Sequence, residues 1–201
     1  MRGLIQLAIL LIFAALTSPL STFAAEPEAK DAATGIRSEW LKTCPMNAET
    51  KSNEICRTFH ERLDGKTGDI IVSATVTRID GAPTKRLLVD ISTTVVSPIR
   101  ELGAQIRVDD YAPLRVKIKN CTKSTCRIET ELTRKLMYQM RNGKQMVVAV
   151  INPKHKAMGF PVPLTAFAET YDGAPYDEAK WQEKRREAIE SIKKKAGTGA
   201  D

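Results

Sequence analysis

From Ile70 onward the chain keeps returning to a two-residue hydrophobic period, and that period commits it to β structure. Ile70, Val72, Ala74 and Val76 fall on one face of an extended segment, with Ser73, Thr75 and Thr77 on the other. Leu87, Val89 and Ile91 repeat the pattern after the turn Asp80-Gly81-Ala82-Pro83. Ala104, Ile106 and Val108 repeat it beyond Pro98, with Gln105 and Arg107 opposite. Leu114, Val116 and Ile118 alternate with Arg115, Lys117 and Lys119; Ile128, Thr130 and Leu132 alternate with Arg127, Glu129 and Glu131. Helical segments do not alternate with these strands, which argues against a parallel α/β sheet. The expected fold is mainly β: an antiparallel β-sandwich or barrel-like domain of about eight or nine short strands. One short internal helix and a C-terminal helix complete it.

Other segments take their places around this pattern. Trp40-Leu41-Lys42-Thr43 and Cys56–Leu63 read as strands, and Asp64-Gly65 and Thr67-Gly68 as a turn. Thr133 is positioned to cap a helix over Arg134–Arg141, and Asn142-Gly143 to end it. Met146–Ile151 is apolar throughout, the pattern of a central strand covered on both faces. Ala157–Leu164 carries Pro161 and Pro163, which suit an edge strand.

The N-terminus has the layout of a Sec signal peptide: Arg2, the apolar run Leu7–Leu16, then small residues ending at Ala24 and Ala25. That run is too short to span a bilayer, which takes about 20 apolar residues. Cleavage near Ala24 or Ala25 would release a chain with no transmembrane segment, located in the periplasm, secreted or at the cell surface. Export gives the cysteines their meaning. Cys44, Cys56, Cys121 and Cys126 are the whole complement, and an even count in an exported protein reads as disulfides. Three pairings are open, of which Cys44–Cys56 with Cys121–Cys126 is the least entangled. A four-thiolate zinc site is the rival, but the spacing between Cys44 and Cys56 fits it poorly. If Cys121 and Cys126 bridge directly across a hairpin, Lys119 falls opposite Ile128 and the faces mix. Either a bulge shifts the register or the bridge lies off the ladder.

After Asp172-Gly173-Ala174-Pro175 a helix is expected over Asp177–Ala196, acidic at its start and Lys193-Lys194-Lys195 at its end, as the helix dipole favours. Trp181, Ala188 and Ile192 lie near one narrow stripe, with Ile189 beside it. Such a stripe serves either to dock a partner or to rest Trp181 on the helix's own domain; it is too thin for strong membrane insertion.

Catalytic signatures are missing. The sequence has neither a G-x-S-x-G elbow nor a phosphate-binding loop, a G-x-G-x-x-G or an H-E-x-x-H. His60 and His155 are the only histidines, and neither has a metal-ligand neighbour in sequence. We therefore expect no enzyme, no cofactor and no metal. The formal charge of +7 and the basic stretch Arg115, Lys117, Lys119, Lys123 and Arg127 suggest an acidic partner. The same stretch also reads as a solvent face neutralised by Glu129 and Glu131 across the hairpin. Tyr111 is its only aromatic neighbour, too few for stacking bases, so nucleic acid is not expected.

The order of these features resembles the invasion-associated locus B family of exported bacterial proteins. The resemblance is carried by Trp40 before Cys44, then Cys56, the Pro98…Leu102-Gly103 turn and the Cys121–Cys126 hairpin. It continues through Asn142-Gly143-Lys144 and Gly159-Phe160-Pro-Val-Pro-Leu164…Phe167. It covers about Ser38 to Thr170. It implies an exported β domain of the bacterial envelope, contributing to host-cell invasion or envelope integrity, with no catalytic residue to carry over. Two features depart from the pattern: Thr125 stands where Gly is expected before the second hairpin cysteine, and a helix extends past Pro175. The expected layout is a signal peptide over 1–25, a flexible leader over 26–37, the β domain over 38–171, and a linker with the charged helix over 172–201. The expected role is an interaction protein with a protein partner in the envelope or on a host surface. The alternative is a periplasmic module binding an anionic glycan or lipid headgroup. The candidate partner-binding residues are Arg115, Lys117, Lys119 and Trp181.

Overall fold

A computed structural model describes residues 36–37, 39–46 and 55–198. The signal peptide expected over 1–25, all but the end of the leader and most of the loop inside the first cysteine pair lie outside the described residues. The remainder forms two antiparallel sheets packed face to face. The larger sheet holds β1 (Ile36–Arg37), β2 (Leu41–Thr43), β3 (Ile55–Leu63), β4 (Ile70–Ile79) and β5 (Arg86–Ser92). β8 (Ile118–Cys121) and β9 (Thr125–Glu131) complete it, in the order β1-β3-β4-β5-β9-β8 with β2 also on β3. The smaller sheet runs β11-β10-β6-β7, with β6 (Ala104–Val108), β7 (Leu114–Val116), β10 (Gln145–Ile151) and β11 (Ala157–Pro163). Eleven strands thus lie among the described residues. The count exceeds the expectation because β1 is a two-residue pair and because the run from Leu114 to Cys121 divides at Lys117.

Alternation places the core where the sequence suggests. Val72, Ala74 and Val76 of β4 and Leu87, Val89 and Ile91 of β5 meet Ile106, Val108, Met146, Val148 and Val150 from the smaller sheet. Trp40 ties the layers together: its indole Nε1 donates to the Pro163 carbonyl at 2.7 Å, and its ring lies against Phe167 and His60. Ile71 is also buried, because a register shift at Leu63 sets it out of the simple alternation.

α1 (Arg134–Asn142) is capped by Thr133, whose hydroxyl accepts from the Leu136 amide. Gly143 ends it in extended rather than left-handed backbone, contrary to the usual stop. Glycine is required there for space: a Cβ would come 2.5 Å from Val108 Cγ1 and 2.7 Å from the Gln139 carbonyl oxygen. A short helix that sequence patterning does not suggest, α2 (Phe167–Asp172), buries Phe167. β10 lies between β6 and β11, and β11 forms the edge. β10 is fully covered on its inner face only; Val147, Ala149 and Ile151 on the outer face are half-buried, which corrects the doubly covered strand expected there.

Candidate interaction site

The two disulfides are Cys44–Cys56 and Cys121–Cys126, and no free cysteine is present among the described residues. The second bridges directly opposed residues of β8 and β9. A bulge at Lys119 resolves the register conflict: Ile118 faces Ile128, Asn120 faces Arg127, and Ile118 stays in the core. The turn is closed by Thr122, whose Oγ1 accepts from the amides of Ser124 and Thr125. Thr125 has ordinary negative-φ backbone, so this turn has no need of the glycine expected before Cys126.

Arg115, Lys117 and Lys119 do not share one hairpin face. Arg115 belongs to β7 in the smaller sheet and Lys119 to the bulge of β8 in the larger one; Lys117 lies at the crossing between them. Lys119 is spent locally. Its ammonium sits 2.9 Å from Glu129, which also pairs with Arg86. Hydrogen bonds from Lys119 and then Arg86 hold the Glu129 carboxyl below the usual carboxylate range. Arg127 makes a two-pronged contact to Asp90 at 2.8 and 2.7 Å. This part of the basic stretch is a charge-paired face.

Arg115 and Lys117 are different. Both are exposed, and neither has an ion pair among the described residues. They line an open groove of about 610 Å³ between the Arg100–Gly103 turn and the Arg115–Ile118 stretch, together with Arg100, Leu102, Gly103 and Val116. Glu101 is the carboxylate on its wall. Arg100 follows Ile99 into a single 3-10 turn, Arg100–Leu102, and its guanidinium donates to the Lys119 carbonyl at 3.3 Å. Leu102 is 56% exposed beside these cations. Gly103 makes the groove possible: its φ is +67°, and a Cβ would stand 2.5 Å from the Val116 carbonyl oxygen. Sequence reading singled out Arg115 and Lys117 but missed Arg100, because the turn that delivers it lies in another segment.

Trp181 belongs to α3 (Glu178–Thr198), which lies on the outer face of β3. Its ring packs on Phe59 at 5.3 Å, Arg185 pairs with Glu61 at 2.9 Å, and Ile192 is buried. Ile189 covers Gly68. The docking stripe is therefore Trp181, Arg185, Ile189 and Ile192, and Ala188 is exposed rather than part of it. Trp181 faces its own domain and is only half-exposed, so it is not an open partner surface.

The histidines stand apart in character. His60 is buried beside Trp40, and His155 is exposed in the β10–β11 turn. Among the described residues no three His, Cys, Asp or Glu side chains come together as a metal site. Asp109 accepts from the Lys144 and Gln145 amides at 2.9 Å and fixes the start of β10. No helix among the described residues is long and apolar enough to cross a membrane.

Sheets, bridges and groove define a small disulfide-stapled β-sandwich with a helix strapped to one outer face. The chain belongs to the invasion associated locus B (IalB) protein family, whose model matches residues 40–175. The match ends before α3 begins at Glu178. Among solved structures it is similar to invasion associated protein b from Bartonella henselae, with a TM-score of 0.55 at 13% identity. That likeness covers 68% of this chain and 94% of the other, and at such identity it shows the fold alone. No curated protein matches the chain in sequence.

Proposed function

We propose that the chain is an exported, non-enzymatic interaction protein that recognises an acidic protein partner in the bacterial envelope or on a host surface. Export rests on the signal-peptide layout of residues 1–25 and on two disulfides, which fit an extracytoplasmic location. A role in host-cell invasion or envelope integrity is in keeping with its family.

The observation that carries the reading is the contrast in charge pairing. Arg86, Lys119, Arg127, Arg141 and Arg185 each form a salt bridge, whereas Arg100, Arg115 and Lys117 converge on the groove, with Glu101 on its wall, and form none among the described residues. Unpaired cations around a concave surface steer and select anionic groups. Exposed Leu102 among them favours a protein, which brings apolar side chains as well as carboxylates, over a glycan or a lipid headgroup.

In-cell photo-crosslinking from position 117, read by mass spectrometry, tests this reading. One reproducible protein adduct, lost when Arg115→Glu is introduced, is the expected result. Adducts to glycan or lipid alone, with steep weakening by salt, would replace the reading with an anionic-ligand module. No adduct of any kind would remove it.

A further inference from the structure

The two sheets present opposite kinds of outer face. On the larger one, α3 covers part of β3, and the cations of β5, β8 and β9 are matched to Glu129 and Asp90. Among the described residues, the outer face of the smaller sheet has no such counter-charge. Register sets Pro161, Val147 and Arg107 in one cross-strand row, and Gly159, Ala149, Gln105 and Arg115 in the next. Its four strands carry two arginines and not one carboxylate. Neither Arg107 nor Arg115 has an ion pair among the described residues, and both are exposed. Beside them β10 is apolar on its outer side too, which is the composition of a strand covered on both faces. Gly159 and Ala149 keep the middle row low, and a Cβ on Gly159 would crowd Val147 Cγ1 at 3.3 Å.

We infer that this face docks a protein segment bearing aliphatic side chains and carboxylates. The aliphatic groups cover Val147, Ala149 and Pro161, and the carboxylates reach Arg107 and Arg115. Charge selects this occupant. A second copy docking through the same face would set its own two arginines, with no carboxylate on those strands, against these two. A glycan or a headgroup would satisfy the arginines and leave the apolar rows in water. The inference rests on the reading of the chain as an interaction protein. It adds a second surface that meets the groove at Arg115.

The test is chemical-shift mapping on the isotopically labelled chain. The probes are a synthetic peptide alternating glutamate with leucine, its lysine-for-glutamate counterpart, a heparin oligosaccharide and phosphatidylglycerol vesicles. The expected result is that the acidic peptide shifts the Val147, Ala149 and Gly159 amides and the lysine peptide does not. Arg107→Glu, at an exposed and unpaired position, should weaken the acidic peptide at least about tenfold; Gln105→Glu in the neighbouring row should weaken it as well. Four results would overturn the inference: no response on this face, equal response to both peptides, response to heparin or vesicles without the acidic peptide, or self-association through this face. If crosslinking from position 117 still captures a protein, only this surface fails. If that is lost too, the interaction reading falls with it.

Discussion

The indole of Trp181 lies against the ring of Phe59, with centroids 5.3 Å apart and planes inclined at 59°. This contact, the Arg185–Glu61 pair and buried Ile192 hold α3 to the back of the larger sheet. The family match ends at residue 175, before this helix begins at Glu178.

Trp181→Ala should therefore release the helix without dissolving the sandwich. A half-buried aromatic pair of this kind contributes about 1–2 kcal/mol. Hydrogen exchange should show faster exchange throughout α3 and little change in β5 or β10. Arg185→Ala should cost less, about 0.5 kcal/mol, since the ion pair is partly exposed.

Gly103→Ala should reshape the groove. The added methyl meets a backbone carbonyl and the position requires positive φ, so both effects act together. A loss of about 2 kcal/mol in urea unfolding is expected, with the largest spectral changes at Val116 and Lys117.

Acid should weaken the β5–β8–β9 face and the β3–β4 turn. The Glu129 carboxyl is held below its ordinary value by Lys119 and Arg86, and Asp64 is lowered by amide hydrogen bonds from Thr67 and Lys66. A depressed folded value means stability that is complete above the unfolded carboxylate range and lost as pH falls through the folded one. Thermal unfolding should show a steep acid limb below about pH 4. Glu129→Gln should flatten it; an unchanged limb would show that the pair carries no linkage.

The disulfides should contribute unequally. Loops with sequence separations of 12 and 5 correspond to roughly 3 and 2 kcal/mol of chain entropy. Paired Cys→Ser variants, compared by denaturant midpoint, should fall in that order.

Much of this architecture can be read from alternation alone. The faces of β4, β5, β6 and β9, the edge character of β11 and the Thr133 cap follow from local pattern, because each depends on neighbours within a few residues. What escapes is decided between distant segments. Lys117 separates two strands only because β6 and β9 stand in different sheets, a matter of tertiary pairing. Lys42 looks like a solvent-facing strand residue, yet it is buried and donates to the Tyr171 and Gly173 carbonyls at 2.9 and 2.8 Å. Burial first, then Arg78, lowers its pKa. The composition of the basic stretch likewise conceals which cations are neutralised: Lys119 and Arg127 find carboxylates, whereas Arg115 and Lys117 form no ion pair among the described residues.

The central claim is that those unpaired cations bind the partner, and calorimetric titration of the crosslinked partner against charge-reversed variants tests it most directly. Arg115→Glu with Lys117→Glu should weaken binding at least about tenfold, while Lys135→Glu on α1 should leave it unchanged. Equal affinity for all three proteins would contradict the account.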